Sequence, residues 1–438
     1  MSFDFTGFVK TLENEIISGP ETGSKQAGPR PKRKILFVST DINQPTGYAK
    51  VSHAIINQLS KLEWLDVVHF AIQKLQDGSV GRTLSNAVKT YNATELEKQK
   101  TGGFGFRELP FIIAKENPDV VFIYNDIAII STYIEELRKS DIKRKFKVWA
   151  YLDQIYTFQP PQYIDILNRD CDRIFVFSNG WHNCLKDQGI TRPVGIISHG
   201  FDATTFRPIP KEIARQTANI SKDAFIFLSV NRNQPRKRLD ILIMAFVELI
   251  IKYPTRPIYL MCICDKGDKG GYQLFDIYAR ELRMRGASTE YFSTRLMVSS
   301  KDMAYKDDEI NIFYNMADVG ISCAEGEGFG LCTFEQMGIG IPQIVPDIIG
   351  YREYCNEENS LLVAPSSRYY LPAIYSPVGG EAMAVASSSV ATAMEKYYME
   401  EDLRAMHSAK GKLTVSAYTW EKAVANLVKR LEQLDDDE

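Results

Sequence analysis

Two kinds of apolar pattern alternate along most of this chain. Short continuous apolar runs predict strands at 34–40 (KILFVST), 65–73, 120–124, 147–152, 173–177 and 194–197. Between them, apolar residues recur at three- and four-residue spacing. They predict helices at 48–62 (Val51, Ile55, Ile56, Leu59, Leu62), 107–115, 127–139 and 180–188. Continuous rather than alternating apolar strands, spaced by helices, are the signature of a parallel sheet covered on both faces. A second series follows, with strands at 225–230, 258–264, 291–298, 319–322 and 343–345. Its helices are at 239–252, 273–285, 310–316 and 333–338. Two helical patterns, 384–400 and 420–434, make the tail. The fold class expected is α/β, with two doubly wound domains joined near 200–207 and a cleft between them, where ligands meet the carboxyl ends of strands.

The first 34 residues depart from this rhythm. A weak amphipathic pattern (Phe5, Phe8, Val9, Leu12, Ile16) runs into GPETGSKQAGPRPKRK, which reads as a short helix and a flexible linker. PRPKRK, from Pro29 to Lys34, puts four cations in six residues. A solvated linker is the plain reading, and weak contact with nucleic acid or an anionic membrane is the alternative.

Composition narrows the class. The 438 residues suggest about two to three domains. Apolar residues at 45% and charged residues at 24% are ordinary for a globular protein, and a net charge of -3 gives no general attraction for nucleic acid. No apolar run approaches the ~20 residues that span a bilayer. The N-terminus lacks the apolar core of a signal peptide, and seven scattered cysteines do not suggest a disulfide framework. A cytoplasmic location is the expectation.

The chemistry concentrates in Glu325-Gly-Glu-Gly-Phe-Gly-Leu-Cys-Thr-Phe-Glu335, between an apolar run and a helical pattern. A strand, a glycine loop and a helix start are how a backbone cradles phosphate. The flanking carboxylates suit hydroxyls of a sugar and a ribose, so the loop reads as a nucleotide-sugar site. The alternative is a strand–turn–helix with solvated acids. A second loop, 230–240, places Arg232 and Lys237 at the mouth of the same sheet, where paired cations suit a diphosphate; the alternative is a solvated basic turn. His199-Gly-Phe-Asp202 marks the crossing between domains, and Gly47 lies in the exit loop of the first strand.

These motifs resemble those of retaining GT-B glycosyltransferases of family 4, whose fold is two Rossmann-like domains facing across a cleft. The family's Glu-x7-Glu fits Glu327 and Glu335, whereas eight residues beyond Glu325 stands Thr333. Phe329, Gly330 and Leu331 match its EGFGL. Arg232 and Lys237 match its Gly-Arg-x4-Lys-Gly, with Asn231 and Arg238 in place of the glycines. His199, Gly200, Asp202, Phe206 and Pro208 match its linker, and Trp420 the tryptophan of its last helix. The resemblance runs from 34 to 434, tight in the second half and loose in the first. It implies a flexible segment at 1–33, an acceptor-side domain at 34–200 and a donor-nucleotide domain at 201–415. A terminal helix, 416–438, would pack back on the first domain.

By position, the resemblance gives Glu335 the ribose hydroxyls, and Arg232 and Lys237 the diphosphate. Glu327 and the amides of Gly328, Phe329, Gly330 and Leu331 take the donor sugar and β-phosphate, with Cys332 beside them. His199 either reaches the cleft or braces the linker. Asp153 stands where the family often has a sugar-facing histidine; it would orient the sugar, accept the acceptor's proton, or merely cap a turn. No cluster of His, Cys and Asp has metal-ligand spacing. The expectation is therefore a metal-independent enzyme without cofactor, using a UDP- or GDP-sugar. The acceptor hydroxyl stays open between glycan, lipid-linked sugar, protein and modified nucleobase. The alternatives are a non-catalytic sugar-nucleotide-binding scaffold and a GT-B sugar-nucleotide epimerase.

Overall fold

A computed structural model describes residues 31–74, 80–264, 270–299, 305–372 and 378–435. The amphipathic pattern at 5–16 and the first two residues of PRPKRK lie outside them.

The first sheet holds seven parallel strands: β1 (Arg33–Thr40), β2 (Leu65–Ile72), β3 (Lys89–Asn92), β4 (Val120–Asn125), β5 (Lys147–Leu152), β6 (Arg173–Val176) and β7 (Val194–Ile196), in the order β3-β2-β1-β4-β5-β6-β7. The second holds six: β8 (Phe225–Val230), β9 (Ile258–Ile263), β10 (Leu296–Val298), β11 (Val319–Ile321), β12 (Gln343–Pro346) and β13 (Ser360–Val363), in the order β10-β9-β8-β11-β12-β13. Both are doubly wound. Strand order reverses between β1 and β4 in one sheet and between β8 and β11 in the other, and such switch points open a crevice at the strands' carboxyl ends.

The continuous apolar runs explain the burial. Ile35 to Val38 and Val120 to Ile123 are almost wholly enclosed, as central strands with helices on both faces must be. The helix Gly47–Leu59 starts where Thr46 caps Ala49 N, and it buries Val51, Ile55, Ile56 and Leu59 against the sheet. Arg33 and Lys34, the last two cations of PRPKRK, form the start of β1. Arg33 pairs with Asp119 at 3.6 Å and with Asp435, and Lys34 with Glu116 at 3.4 Å.

Several elements differ from the sequence expectation, and β3, β13 and the helix Pro161–Asp170 add to it. Only Leu296–Val298 of 291–298 is strand. The preceding residues turn, because Ser288 Oγ accepts from Tyr291 N at 3.2 Å and Ser293 Oγ donates to Glu290 O at 2.7 Å. The helix expected from 384 begins at Ser387, since Gly380–Ala384 pairs antiparallel with Ser367–Leu371 as a hairpin. The helix Glu401–Ser416 shows no apolar stripe in sequence and buries only His407, Gly411 and Val415.

The last helix, Trp420–Glu432, returns to the first domain. Val424, Leu427 and Leu431 join the core built around β1, β4 and β5, and Asn426 Nδ2 donates to Ile196 O at 3.1 Å. That core continues across the cleft through Phe329, Phe334, Tyr351 and Tyr354 of the second domain.

Candidate active site

The second domain contributes two loops. After β11 the chain runs through Glu325 and Glu327 to Gly330, which takes φ +79° and starts the helix Leu331–Gly338. A left-handed residue at this point is where glycine costs least. After β8, the short turn Pro235–Lys237 carries its cations towards the first loop. Lys237 Nζ is bonded to Glu327 Oε2, and Arg236 Nη1 lies 3.4 Å from the same oxygen and donates to Gly326 O at 3.0 Å. Burial pushes the Glu327 carboxyl up, but Lys237 and Arg236 outweigh it and hold it below the usual range. Burial and the neighbouring Arg236 push the Lys237 ammonium down, more than Glu327 raises it. Glu325 faces elsewhere: Arg238 lies 3.2 Å away and Tyr369 OH donates to it. The two glutamates that sequence spacing separates are thus held by different partners.

Glu335 sits one turn inside the helix, 4% exposed. Oε1 accepts from Lys50 Nζ at 2.7 Å and Oε2 from Tyr314 OH at 2.7 Å. Burial raises this carboxyl, opposed first by Lys50. Cys332 is half-buried beside Glu335, and burial raises its thiol. Leu331 lines a pocket with Lys50, Arg82, Asp307, Glu335 and Trp420. Gly47, in the first domain, faces Leu331 across the cleft, 4.0 Å from where a Cβ would stand.

From the first domain comes Asp153, at the exit of β5, held by its backbone N to Asn125 O at 3.0 Å. Burial, then the Glu327 carboxylate, push its pKa up to about 6, against a hydrogen bond from Tyr48. The loop of the second domain presses on it. A Cβ on Gly328 would stand 2.0 Å from Asp153 Oδ1, so only glycine fits. Trp181 Nε1 donates to Gly328 O at 2.7 Å and fixes that approach.

His199 lies among Phe329, Phe177 and Trp420, at ring distances of 4.3, 4.5 and 5.8 Å. Neither ring nitrogen has a hydrogen-bond partner among the described residues, and burial pushes its pKa down to about 3, so the ring is neutral. Arg232 is exposed at the β8 exit. The structure therefore gathers Lys237, Glu327, Gly328 and Asp153 at one point and Leu331, Cys332 and Glu335 at another, with Phe329 between His199 and the core. Sequence reasoning passed over Arg236, Lys50, Arg82, Asp307, Tyr48 and Trp181. Arg236 could have been found, since it precedes Lys237. The others meet the site only through tertiary contacts. No group of three or more His, Cys, Asp or Glu among the described residues could hold a metal ion. No helix among them is long and apolar enough to cross a membrane.

A family model described as "Glycosyl transferases group 1" matches residues 224–374. D-inositol 3-phosphate glycosyltransferase 2 of Catenulispora acidiphila is 28% identical over 157 residues, 36% of this chain and 35% of the relative. Lipopolysaccharide 1,2-N-acetylglucosaminetransferase of Salmonella typhimurium is 28% identical over 153 residues, 34% of this chain and 36% of the relative. The chain thus spans about a third of the length of the curated relatives it matches. Among solved structures, sucrose-phosphate synthase of Thermosynechococcus elongatus superposes with TM-score 0.70 at 16% identity, covering 93% of this chain and 100% of that one. Anabaena HepE, solved with UDP and glucose, gives 0.65 at 14% identity, covering 92% and 100%. At such identities these likenesses show the fold, which is GT-B. The match to the group 1 glycosyl transferases lies in the second domain, over residues 224–374.

Proposed function

We propose that this chain is a retaining glycosyltransferase that moves a sugar from a nucleoside-diphosphate sugar to a hydroxyl acceptor. One observation carries the reading: Lys237 and Arg236 converge on Glu327 at the point where Asp153 of the opposite domain abuts Gly328. When the bond from the anomeric carbon to the diphosphate breaks, negative charge grows on the leaving oxygen. Fixed cations and backbone N–H groups in a cleft shielded from water stabilise that charge best. Lys237 and Arg236, with Arg232 at the loop's outer end and the amides of Gly328 to Leu331, supply them. Glu327, already ionised, accepts from sugar hydroxyls. Glu335 accepts from the ribose. The acceptor oxygen attacks on the face the diphosphate leaves, and the new bond keeps the donor's anomeric configuration. Asp153, its carboxyl pushed up to about 6 by burial and Glu327, is suited to take the acceptor's proton. HepE, a structure of the same fold, holds UDP and glucose, which supports a UDP-hexose as the first donor to try.

The test begins with a thermal-shift panel of UDP- and GDP-sugars on the purified chain. A true donor at one hundred times its Kd stabilises by about 2.7 kcal/mol. The stabilising donor is then supplied with hydroxyl acceptors, and NMR reads the anomeric configuration of the product. Retention supports the proposal. Inversion, or no response to any donor, rejects it.

A further inference from the structure

Lys50 belongs to the first domain, within the first turn of the helix Gly47–Leu59, yet its ammonium serves the second. Nζ lies 2.7 Å from Glu335 Oε1 and 3.2 Å from Asp307 Oδ1, and it stands 4.6 Å over the Phe206 ring. Asp307 begins the helix Asp307–Met316. Arg82 grips it through Nε at 3.0 Å and Nη2 at 2.8 Å, both to Oδ2. The remaining Nη1 of Arg82 donates to Ile42 O at 2.8 Å and Gln44 O at 3.0 Å, which ties the guanidinium to the loop after β1. Charges alternate along the line Arg82, Asp307, Lys50, Glu335, and so do the domains that supply them.

We propose that Lys50 is a positioning residue for the donor: it keeps Glu335 ionised and aimed, so that the second domain grips a ribose only when the first is closed against it. This rests on the role proposed above for Glu335. A carboxylate as enclosed as this one takes up a proton unless a counter-ion holds it ionised. Protonated, it loses acceptor capacity for a pair of ribose hydroxyls. The polar groups facing it are Lys50, His53 and Arg82 of the first domain, Asp202 of the linker, and Asp307, Tyr314 and Cys332 of the second. Lys50 is the cation bonded to it, and Arg82 is committed to Asp307 and the loop. Tyr314 aims the other oxygen but carries no charge to offset burial. Because Lys50 sits on the opposite domain, opening the cleft removes the counter-ion and the grip together.

The test uses the full chain and its Lys50→Met and Lys50→Arg variants, with UDP and GDP as probes, titrated by calorimetry from pH ~5.5 to ~8.5 around the neutral range. The Met variant should bind the nucleotide at least about tenfold more weakly at neutral pH and recover as pH rises and Glu335 ionises. The Arg variant should retain most of the affinity. Wild-type affinity in the Met variant, a loss equal at every pH, or no repair by arginine overturns the proposal. A second readout needs no ligand. A carboxyl whose folded pKa is raised stabilises the fold at low pH and loses that contribution as pH rises. The deficit in Tm of the Met variant against wild type must therefore widen from the acid to the alkaline end, and a constant deficit refutes the coupling. If neither nucleotide binds wild type, the donor reading falls while the Tm series still decides the pairing of Lys50 with Glu335.

Discussion

The two walls of the cleft are built differently. On the second domain the charges are settled at home: Glu327 with Lys237 and Arg236, Glu325 with Arg238. On the first domain they are spent across the gap. Lys50 and Arg82 hold Glu335 and Asp307 of the other domain, and the Asp153 carboxyl is raised by burial and by Glu327 opposite. The cluster around Glu327 is thus complete within the second wall whether or not the cleft is closed, whereas Glu335 depends on Lys50 across the gap. The first becomes part of the site only on closure. Mutations on each wall can test that division.

The largest effect is expected from Lys237→Ala. It removes a charge from the leaving diphosphate and strands Glu327, so kcat should fall by about a hundredfold or more, with Tm lowered as well. Unchanged initial rates would remove the cradle from the mechanism. Glu335→Ala comes next: donor KM should rise roughly tenfold to a hundredfold with a smaller change in kcat, because ribose contacts persist through the reaction. A loss confined to kcat would move Glu335 into the chemistry and break the division. Gly328→Ala forces a methyl group onto Asp153 Oδ1 and should cost about 1–3 kcal/mol of stability together with activity, read by Tm and turnover.

The first wall gives a pH signature. Asp153 has its folded pKa raised to about 6 from 3.8, so it is protonated below that point and kcat should decline as pH falls through 6. Asp153→Asn should be slow at every pH and lack that limb. The linkage has the opposite sign for stability. The raised carboxyl favours the fold at low pH and loses that contribution as pH climbs from about 4 through about 6, above which the loss is complete, so the Asn variant should gain Tm on wild type at neutral pH. The smallest effect is expected from His199→Phe. It replaces an unbonded buried imidazole by a ring of similar shape, so stability should hold or rise, by about 1 kcal/mol at most, and activity should change little. A large rise in donor KM would return His199 to the cleft.

The sequence discloses these walls unequally, for a physical reason. Glu327, Glu335 and Lys237 lie in strand–loop–helix units, so short spacing already places them at one crevice. Strands such as β1 and β5 were equally legible, because a continuous apolar run has few alternatives. The hairpin Ser367–Leu371/Gly380–Ala384 was not, since neither segment alternates cleanly: SRYYL is largely exposed and GEAMA is half small residues. Lys50 reads as an ordinary helix lysine, and its partners are 257 and 285 positions away. Arg82 reads as a loop charge, 225 positions from the Asp307 it grips. Arg236 was in view beside Lys237 but stood outside the spacing that matched. Long-range pairing between domains leaves no periodic trace in either partner.

The terminal helix Trp420–Glu432 has a consequence for how the cleft can move. Because it docks on the first domain, the polypeptide passes between the domains twice, once near Phe201 and once near Tyr418. The two passages are stitched together, Phe201 N donating to Tyr418 O at 2.9 Å. A single tether would permit the domains to twist and slide as well as part. Two adjacent tethers act as a hinge with a fixed pin, leaving one soft motion, a swing that separates Lys50 from Glu335 and returns it to the same register.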